Sequence, residues 1–384
     1  MLQFRSCKRS SCAILLVLMV LTRSRALLST GLQSATTAAS KRTAGPKRRN
    51  PTKRLATTKT TAKQSSTGNK TPKLDDPLIS LPYDCATGTI QCRPSKRNRS
   101  PYVADVLLED EKREVICHVP NLDCGGKCVP GTKVLMKPAR DRKGNLVGPN
   151  AKNPKYGTPK CEFIAQLIYV DESDLGYNPA WVGAHPSLGE KVAEQLVERN
   201  LLGPCFPAVG SFKREVKNVG GADMRADFLI QHKDETLPPR ILEVKTVVDT
   251  DYKVGATPER SKCVFTSEKD PYIRTGIFPW GNSNQKGPDG EKVVSARAIK
   301  HVRELTKLAN DKKQRFLATV LFVVIREDAE VFRPNHEACP SFARYLKEAE
   351  DKGVQILAKR VRWTVEGAAA KCYESDLLEV VWPQ

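Results

Sequence analysis

Residues 212–247 contain two apolar runs with embedded charges, and this stretch constrains the fold more than any other. Asp227 heads the first run, and Glu243 and Lys245 lie in the second. Successive side chains of a strand point to opposite faces, so Glu243 and Lys245 share a face while Val244 points into the core. A polar loop with two prolines separates the runs and predicts a hairpin. Asp227 then lies opposite the neighbourhood of Glu243 and Lys245, with the register left open.

Two carboxylates and an ammonium on one polar patch of a sheet have a chemical use. Mg²⁺ takes oxygen ligands, usually one or two carboxylates together with a substrate phosphate. It polarises a phosphodiester and lowers the pKa of an attacking water, while a nearby lysine stabilises charge on the phosphate. Asp227 followed by the spaced Glu243-Val244-Lys245 resembles the PD-(D/E)xK nuclease motif. The alternative is a surface hairpin with an ordinary Glu–Lys pair, because Glu-x-Lys alone is common.

Basic residues are concentrated at the start of the chain. Residues 1–74 hold 16 of the 63 Lys and Arg and no Asp or Glu, so the formal charge of +20 falls to +4 for the remainder. A basic start, an apolar run at 12–21 and small residues near 24–26 predict a signal-like segment over residues 1–26. Residues 27–98 predict a disordered, basic, transit-like leader and linker. This bipartite pattern predicts import into a plastid and no stable membrane insertion of the mature chain. The alternatives are a mitochondrial presequence and a short signal anchor with a basic tail.

The chain has 12 cysteines, two of them in the leader. Cys124 and Cys128 form the closest pair in the body, followed by Cys85 and Cys92. Neither pair has the spacing that zinc sites usually show. We therefore expect buried thiols in a reducing compartment in preference to a structural zinc site.

The body of the chain divides into a strand-rich part and a mixed part. Residues 99–180 predict a small barrel, because short apolar runs alternate there with Gly, Pro and Asp turns. Residues 181–384 predict the order α-β-β-β-α-β, which is the core topology expected of PD-(D/E)xK nucleases. Residues 249–292, rich in Pro, Gly, Asp and Lys, predict an insertion. The predicted helices cover residues 187–200, 293–313 and 341–352, and the predicted strands cover residues 212–217, 226–230, 241–248, 316–325 and 354–365.

A series of short motifs runs along residues 97–365, about seven-tenths of the chain. The motifs are Tyr102-Val-Ala-Asp-Val106, His118-Val-Pro-Asn121 with Pro130-Gly131, Arg214-Glu-Val216, Arg225-Ala-Asp-Phe-Leu229, Glu243-Val-Lys245, Arg297-Ala-Ile-Lys-His301 and Leu321-Phe-Val-Val324. Their number and order resemble the sugar fermentation stimulation protein (SfsA) family. The chain departs from the family's Pro-Asn-Thr-Gly at Leu122 and Asp123, and Trp280 and Gly281 stand where the family tends to have Asp-Ala.

The resemblance implies a fold and a set of site residues. The fold class is α/β (α+β), with an N-terminal OB-like β-barrel followed by a PD-(D/E)xK nuclease-like α-β-β-β-α-β domain. Asp227 and Glu243 would hold Mg²⁺ (or Mn²⁺), and Lys245 would be the catalytic lysine. The remaining candidates are an additional acid, Glu215, and the phosphate contacts Arg214, Arg225, Arg297 and His301. We expect His301 to lie beside Arg297 on the helix face away from the buried stripe, and Tyr102 to stack a base from the barrel.

We therefore predict a nucleic-acid-binding protein of SfsA type, with DNA favoured over RNA and a Mg²⁺-dependent phosphodiesterase or nuclease site. The near-neutral body argues against strong binding by charge alone. One alternative is a DNA-binding regulator that uses a nuclease fold without cutting, a role that fits the family's association with sugar metabolism in bacteria. Others are an RNA-directed organellar nuclease and a barrel-led protein-interaction module. The sequence makes no prediction of oligomeric state.

Overall fold

The computed structural model describes residues 76–82, 84–120, 124–259, 263–313 and 315–383. The predicted signal-like segment and most of the predicted transit-like leader lie outside these residues. Within them, the structure confirms the mixed α/β fold with an OB-like barrel and a nuclease-like second domain.

Strands dominate the described residues. In chain order they are β1 (Ile79–Ser80), β2 (Ala86–Cys92), β3 (Val103–Leu108), β4 (Glu114–His118), β5 (Lys133–Pro138), β6 (Phe163–Val170), β7 (Ala180–Gly183), β8 (Val209–Lys217), β9 (Arg225–His232), β10 (Arg240–Val247), β11 (Asp249–Thr250), β12 (Tyr252–Lys253), β13 (Thr266–Ser267), β14 (Thr275–Phe278), β15 (Gln285–Lys286), β16 (Lys292–Val293), β17 (Leu317–Val324), β18 (Val331–Pro334), β19 (Gln355–Glu366) and β20 (Ala369–Leu378). The α-helices are α1 (Ser187–Glu198), α2 (Ala296–Asn310) and α3 (Pro340–Asp351). In this part of the chain, no helix has the length and apolar character needed to cross a membrane.

Strands β2 to β6 close into a five-stranded barrel. β2 pairs with β3 and β5, β3 pairs with β4, and the barrel closes because β4 also pairs with β6 in parallel, Cys117 opposite Phe163. β7 extends the sheet at β6. The inward side chains, among them Ile90, Val106 and Ile168, form one apolar cluster. This order of pairing is the OB-like barrel that the resemblance implied.

The predicted boundary between the leader and the barrel is wrong. β2 lies inside the stretch 27–98 that was predicted as disordered leader and linker, so the barrel begins at Ala86 and not at residue 99. β1 also lies in that stretch, and it pairs with β20 at the edge of the main sheet. The signal for β2 is weak because Ile90 is its single large aliphatic residue. Its strand conformation depends on the neighbours that it pairs with in the barrel.

The second domain is built on a seven-stranded sheet with the order β1-β20-β19-β17-β10-β9-β8. β17 is central and pairs in parallel with β10 and β19, while the remaining pairs are antiparallel. β17 is buried along almost its whole length, as expected for a strand covered on both faces. Helix α1 covers one face, and α2 and α3 cover the other. The α-β-β-β-α-β order predicted from the sequence is confirmed.

Helix α1 holds β10 by an unusually close approach. A Cβ atom added to Gly189 would lie 2.0 Å from Oγ1 of Thr246, so only glycine allows this helix to rest on the strand. Leu188 and Val192 of α1 pack in the same apolar cluster as Leu242 and Val244 of β10. Helix α1 therefore packs on the face of β10 opposite to the side chains of Glu243 and Lys245.

The segment predicted as an insertion, residues 249–292, is integral to the domain. β11 and β14 form a three-stranded sheet with β18, which lies far along the chain. Two buried charges of the segment form ion pairs with residues on the barrel side. Arg274 bonds Glu172 at 2.5 Å, and Asp249 pairs with Lys127. Such charges are stable in the interior only because each is paired. The segment thus joins the barrel to the second domain.

Candidate functional site

Asp227 and Glu243 lie opposite each other where the β9–β10 ladder opens. The last paired residues are Leu242 and Phe228, so the next opposed positions are Glu243 and Asp227. At this point the backbone N–H of Val244 donates to Oδ2 of Asp227 at 2.7 Å. The register that the sequence left open is therefore the one that brings the two carboxylates together on one face.

The two oxygens of Glu243 have different surroundings. The side chain is only 2% exposed, and Oε1 accepts hydrogen bonds from Nζ of Lys245 and, at 2.5 Å, from Nδ1 of His301. Nζ of Lys245 also donates to the carbonyl oxygen of Val244 at 3.2 Å. Oε2 is buried and has no hydrogen-bond partner among the described residues. A buried acceptor without a partner is costly, and this one is well suited to a further positive group.

The pKa values of the two carboxylates are shifted in opposite directions. Burial would raise the pKa of Glu243, but the charge of Lys245 and the hydrogen bond from His301 outweigh it and leave this pKa below its usual value. Burial, followed by the charge of Glu243, raises the pKa of Asp227 from 3.8 to about 6, although the Val244 amide opposes the shift. The pKa of Asp227 rises because its charge is buried near that of Glu243. The pKa of Glu243 falls because Lys245 and His301 lie against its carboxylate. A cation bound between them would relieve this repulsion.

The position of His301 corrects the prediction made for it. We expected a helix face away from the buried stripe, but His301 is 6% exposed and faces the sheet and Glu243. The reason is helical geometry: His301 follows the buried Ala298 by three residues and precedes the buried Leu305 by four, so it shares their face. Arg297, one turn earlier, is exposed. The two side chains therefore differ in burial, although both line the same cleft.

A basic cleft of about 470 Å³ opens beside His301. It lies between α2 and the turn that joins β8 to β9. Of the predicted phosphate contacts, Arg225, Arg297 and His301 line it. Lys300 in the cleft bonds Asp223 at 2.6 Å. The full lining is Lys217, Asn218, Asp223, Met224, Arg225, Ala296, Arg297, Lys300 and His301.

Three predicted site residues, Glu215, Arg214 and Tyr102, neither line this cleft nor bond to the two carboxylates among the described residues. Glu215 stands in register opposite Asp227, but it has φ of 56° and its carboxylate bonds Arg225 at 2.6 Å. Arg214 forms an ion pair with Glu194 of α1 at 2.6 Å. Tyr102 lies in the barrel, where its ring is 6.4 Å from that of His118. Among the described residues, none of the three bonds to Asp227 or Glu243.

Sequence reasoning gave Glu190 no role at the site. Glu190 lies in the first turn of α1, which begins at Ser187 with Pro186 as the N-cap and without a side-chain cap. The charge of Glu190 is one of those that raise the pKa of Asp227. No spacing in the sequence links Glu190 to Asp227, because the approach of α1 to the sheet is a tertiary contact.

The donor set fits a hard divalent cation. Asp227 and Glu243 supply carboxylate oxygens, and the unpartnered Oε2 of Glu243 belongs to this pair. In the described part of the chain, no three His, Cys, Asp or Glu side chains form a ready-made metal cage. Mg²⁺ does not need one, since it usually keeps several waters and binds through one or two carboxylates and a substrate phosphate.

Comparisons with known proteins agree with this architecture. The family described as "Sugar fermentation stimulation protein RE domain" matches residues 288–367. A sugar fermentation stimulation protein homolog of Maricaulis maris is 30% identical over 273 residues, covering 71% of this chain and 89% of the relative. The homolog of Carboxydothermus hydrogenoformans is 27% identical over 276 residues, covering 71% and 89%. The structure of Pyrococcus furiosus SfsA in complex with Ca²⁺ aligns with a TM-score of 0.52 and 18% identity, covering 80% of this chain and 99% of that one.

The fold and the site together define a class: an OB-like barrel joined to a PD-(D/E)xK nuclease-like domain whose sheet carries an acid–acid–lysine set. The relatives align over both parts of this architecture. The chain belongs to the sugar fermentation stimulation protein (SfsA) family.

Proposed function

We propose that the protein binds nucleic acid, DNA in preference to RNA, and hydrolyses phosphodiester bonds with Mg²⁺ or Mn²⁺ at the Asp227–Glu243–Lys245 site. The observation that carries this proposal is the buried, unpartnered Oε2 of Glu243 beside the carboxylate of Asp227. A structural ion pair would not require a second carboxylate whose pKa is raised by the first. A cation held by both carboxylates would account for the arrangement.

The side chains of this site have separable roles. Asp227 and Glu243 would hold the cation, which when bound would supply a Lewis acid for the phosphate and lower the pKa of a bound water. Lys245 and His301 engage Oε1 of Glu243, and this holds the carboxylate with Oε2 directed away from both. The ammonium of Lys245 lies among these groups, where it can stabilise negative charge that develops on the phosphate.

The basic cleft supplies the place for the nucleic-acid backbone. Arg225 and Arg297 line it together with Lys217 and Lys300, and His301 joins it to the carboxylates. Phosphate contacts of this kind position a nucleic acid without reading its sequence. The SfsA relative from Pyrococcus furiosus is described in complex with Ca²⁺, which is a hard, oxygen-liganded cation like Mg²⁺. The basic lining of the cleft and the Ca²⁺ bound by this relative both support a metal-dependent phosphodiesterase.

The deciding experiment incubates the full chain with labelled single- and double-stranded DNA and RNA, in Mg²⁺, in Mn²⁺ and in chelator. Metal-dependent cleavage of DNA is the expected result. Nucleic acid that is retarded but uncut would replace the proposal with a DNA-binding regulator on a nuclease fold. Preferential cleavage of RNA would make the protein an RNA-directed nuclease.

Reversal of one charge in the cleft tests the nucleic-acid interface. Arg297→Glu is expected to weaken DNA binding and to reduce the slope of log K against log salt by about 1, because one phosphate contact is lost. Fluorescence anisotropy over a salt series measures both quantities. Lys347→Glu, an exposed helical cation on α3, is the matched control. Equal loss in both variants would remove the cleft from the interface.

Removal of the His301 ring tests its role in holding Glu243. His301→Ala is expected to weaken Mn²⁺ binding by about 10- to 100-fold, the usual cost of losing a group that orients a metal ligand. Calorimetric titration with Mn²⁺ measures this directly and needs no cleavage. His301→Gln keeps an N–H donor and is expected to recover part of the affinity. Mn²⁺ affinity unchanged in His301→Ala would contradict an orienting role.

A further inference from the structure

A tight turn in the barrel carries two buried cysteines that the proposed nuclease site does not use. Cys124 opens a short 3-10 turn, Cys124–Gly126, and the N–H of Lys127 donates to the carbonyl of Cys124 at 3.3 Å. Cys124 and Cys128 are 0% and 5% exposed and belong to the same apolar cluster. A chain that turns back within four residues can bring two cysteines within the range that a disulfide requires. The turn therefore places both thiols in one small apolar space.

The backbone at this turn is strained. Cys124 has φ of 41°, in the left-handed region that favours glycine. A non-glycine residue there costs on the order of 1–3 kcal/mol and persists where the surroundings require it. The strained position is occupied by a cysteine, whereas the other position of this turn with positive φ is occupied by a glycine, Gly126. The strain therefore falls on the residue that supplies a thiol.

The two thiols lie in one apolar cluster and are not equivalent. The thiol of Cys124 donates to the carbonyl oxygen of Ala184 at 3.9 Å, and hydrogen bonding between Cys124 and Cys128 raises the pKa of Cys124 and lowers that of Cys128. The guanidinium of Arg93 and the ammonium of Lys127 also lower the pKa of Cys128, against the effect of burial. A thiolate is the reactive form of cysteine. Cys128 is thus the better nucleophile of the two.

Cys128 also has a route to solvent. It lines a cleft of about 870 Å³ at the barrel surface, whereas Cys124 lies behind it. Arg93, Lys127, Tyr169 and Glu172 are further parts of the lining. A cleft of this size admits a small molecule but leaves little room for a protein loop to reach a sulfur that is 95% covered.

We propose that Cys124 and Cys128 form a dithiol–disulfide couple that exchanges with a small disulfide such as glutathione disulfide. The thiolate of Cys128 attacks one sulfur of the incoming disulfide, forms a mixed disulfide and releases the first thiolate. The thiolate of Cys124, after loss of its proton to solvent, attacks the sulfur of Cys128 and releases the second thiolate. The cysteines lose two electrons and two protons in total, and the small disulfide is reduced to two thiols.

The turn that carries the couple also joins the barrel to the second domain. Lys127, between the two cysteines, forms the buried ion pair with Asp249 of β11. β11 follows closely after β10, the strand of Glu243 and Lys245. We expect a disulfide to tighten the turn and so to shift the Lys127 ammonium relative to Asp249. This redox couple is independent of whether the site on β10 cleaves nucleic acid.

The test uses the full chain in buffers of graded glutathione disulfide to glutathione ratio. Samples are quenched in acid, blocked with N-ethylmaleimide in denaturant and mapped by peptide mass. We expect Cys124 and Cys128 to lose the label together and to appear as a linked peptide, at a lower ratio than the one that modifies the exposed Cys205. The proposal would be overturned if Cys124 and Cys128 still carried the N-ethylmaleimide label at a glutathione disulfide ratio that fully modifies Cys205. A bond from either cysteine to Cys117 or Cys161 would also overturn it.

Single variants test the order of attack. Cys124→Ser is expected to trap glutathione on Cys128, and Cys128→Ser is expected to leave Cys124 as a thiol. Trapping on Cys124 but not on Cys128 would reverse the assignment of the nucleophile, and equal trapping would remove it. The wild-type mapping tests the couple even if a variant fails to fold. Hydrogen exchange of the wild type tests the link to the second domain. Peptides that contain Asp249 should exchange faster after oxidation, and unchanged exchange would remove that link.

Discussion

Replacement of Lys245 by alanine is expected to lower the rate of metal-dependent DNA cleavage by about 100- to 1000-fold, the usual cost of losing one preorganised group that stabilises transition-state charge. The reason is local. Lys245 is the ammonium that lies beside both the Glu243 carboxylate and the Val244 carbonyl, and its side chain is only 13% exposed. DNA affinity in chelator should change little, since Lys245 is not among the residues that line the basic cleft. Single-turnover cleavage with labelled DNA measures the loss.

The matched control is Lys359→Ala. Lys359 is also a buried lysine of the same sheet, and it is paired with Glu374 at 2.7 Å. It lies on β19, with β17 between that strand and β10. Its loss removes a buried ion pair without touching the proposed site, so cleavage by the folded control should match that of the wild type. Equal losses in the two variants would show that Lys245 acts on the fold and not on the reaction.

Replacement of Asp227 by asparagine is expected to have opposite effects on function and on stability. Mn²⁺ binding, measured by calorimetry, should fall below detection, because one of the two carboxylates proposed to hold the cation is gone. The free energy of unfolding of the metal-free protein should rise. Burial and the charge of Glu243 raise the pKa of Asp227 from 3.8 to about 6, so the ionised form destabilises the folded state. Asparagine keeps an oxygen for the Val244 N–H and removes the charge.

The pH dependence follows from the direction of this shift. A carboxyl whose folded pKa lies above its unfolded value opposes folding above about pH 6 and ceases to do so as the pH falls toward 3.8. At about 1.4 kcal/mol for each pH unit, the gain from Asp227→Asn is at most about 3 kcal/mol near pH 8 and vanishes near pH 4. Urea unfolding of the metal-free protein at several pH values measures it.

A second buried aspartate provides the contrast. Arg326 overcomes the effect of burial and holds the pKa of Asp328 at about 2, so its ionised form stabilises the folded state. Asp328→Asn should therefore destabilise the protein near pH 8, where Asp227→Asn stabilises it. If both substitutions destabilise the metal-free protein, Asp227 is an ordinary structural acid, and the argument for a cation between the carboxylates fails.

Much of the architecture follows from local pattern. Alternation and turn residues predicted the strand-rich barrel, and helical periodicity located α1, α2 and α3 to within a few residues at each end. The spaced acids and lysine of β9 and β10 were likewise visible, because their chemistry depends on residue type and on the strand repeat of two. The leader remains a prediction, since it lies outside the described residues.

Four features depended on contacts between distant parts of the chain. β2 has little apolar character of its own and becomes a strand through its barrel neighbours. The face of His301 was misassigned, because its burial is decided by the sheet beneath α2. The partners of Arg214 and Glu215 likewise come from neighbouring elements in space.

The sequence by itself determined which residue types the site contains and that they lie on two neighbouring strands. The tertiary structure alone decided the register that opposes Asp227 to Glu243, and it left Oε2 of Glu243 without a hydrogen-bond partner among the described residues. The physical reason is that alternation of side chains is a property of each strand, whereas register, burial and pKa shifts arise from pairing and desolvation. Those are properties of the assembled sheet and of the helices that cover it.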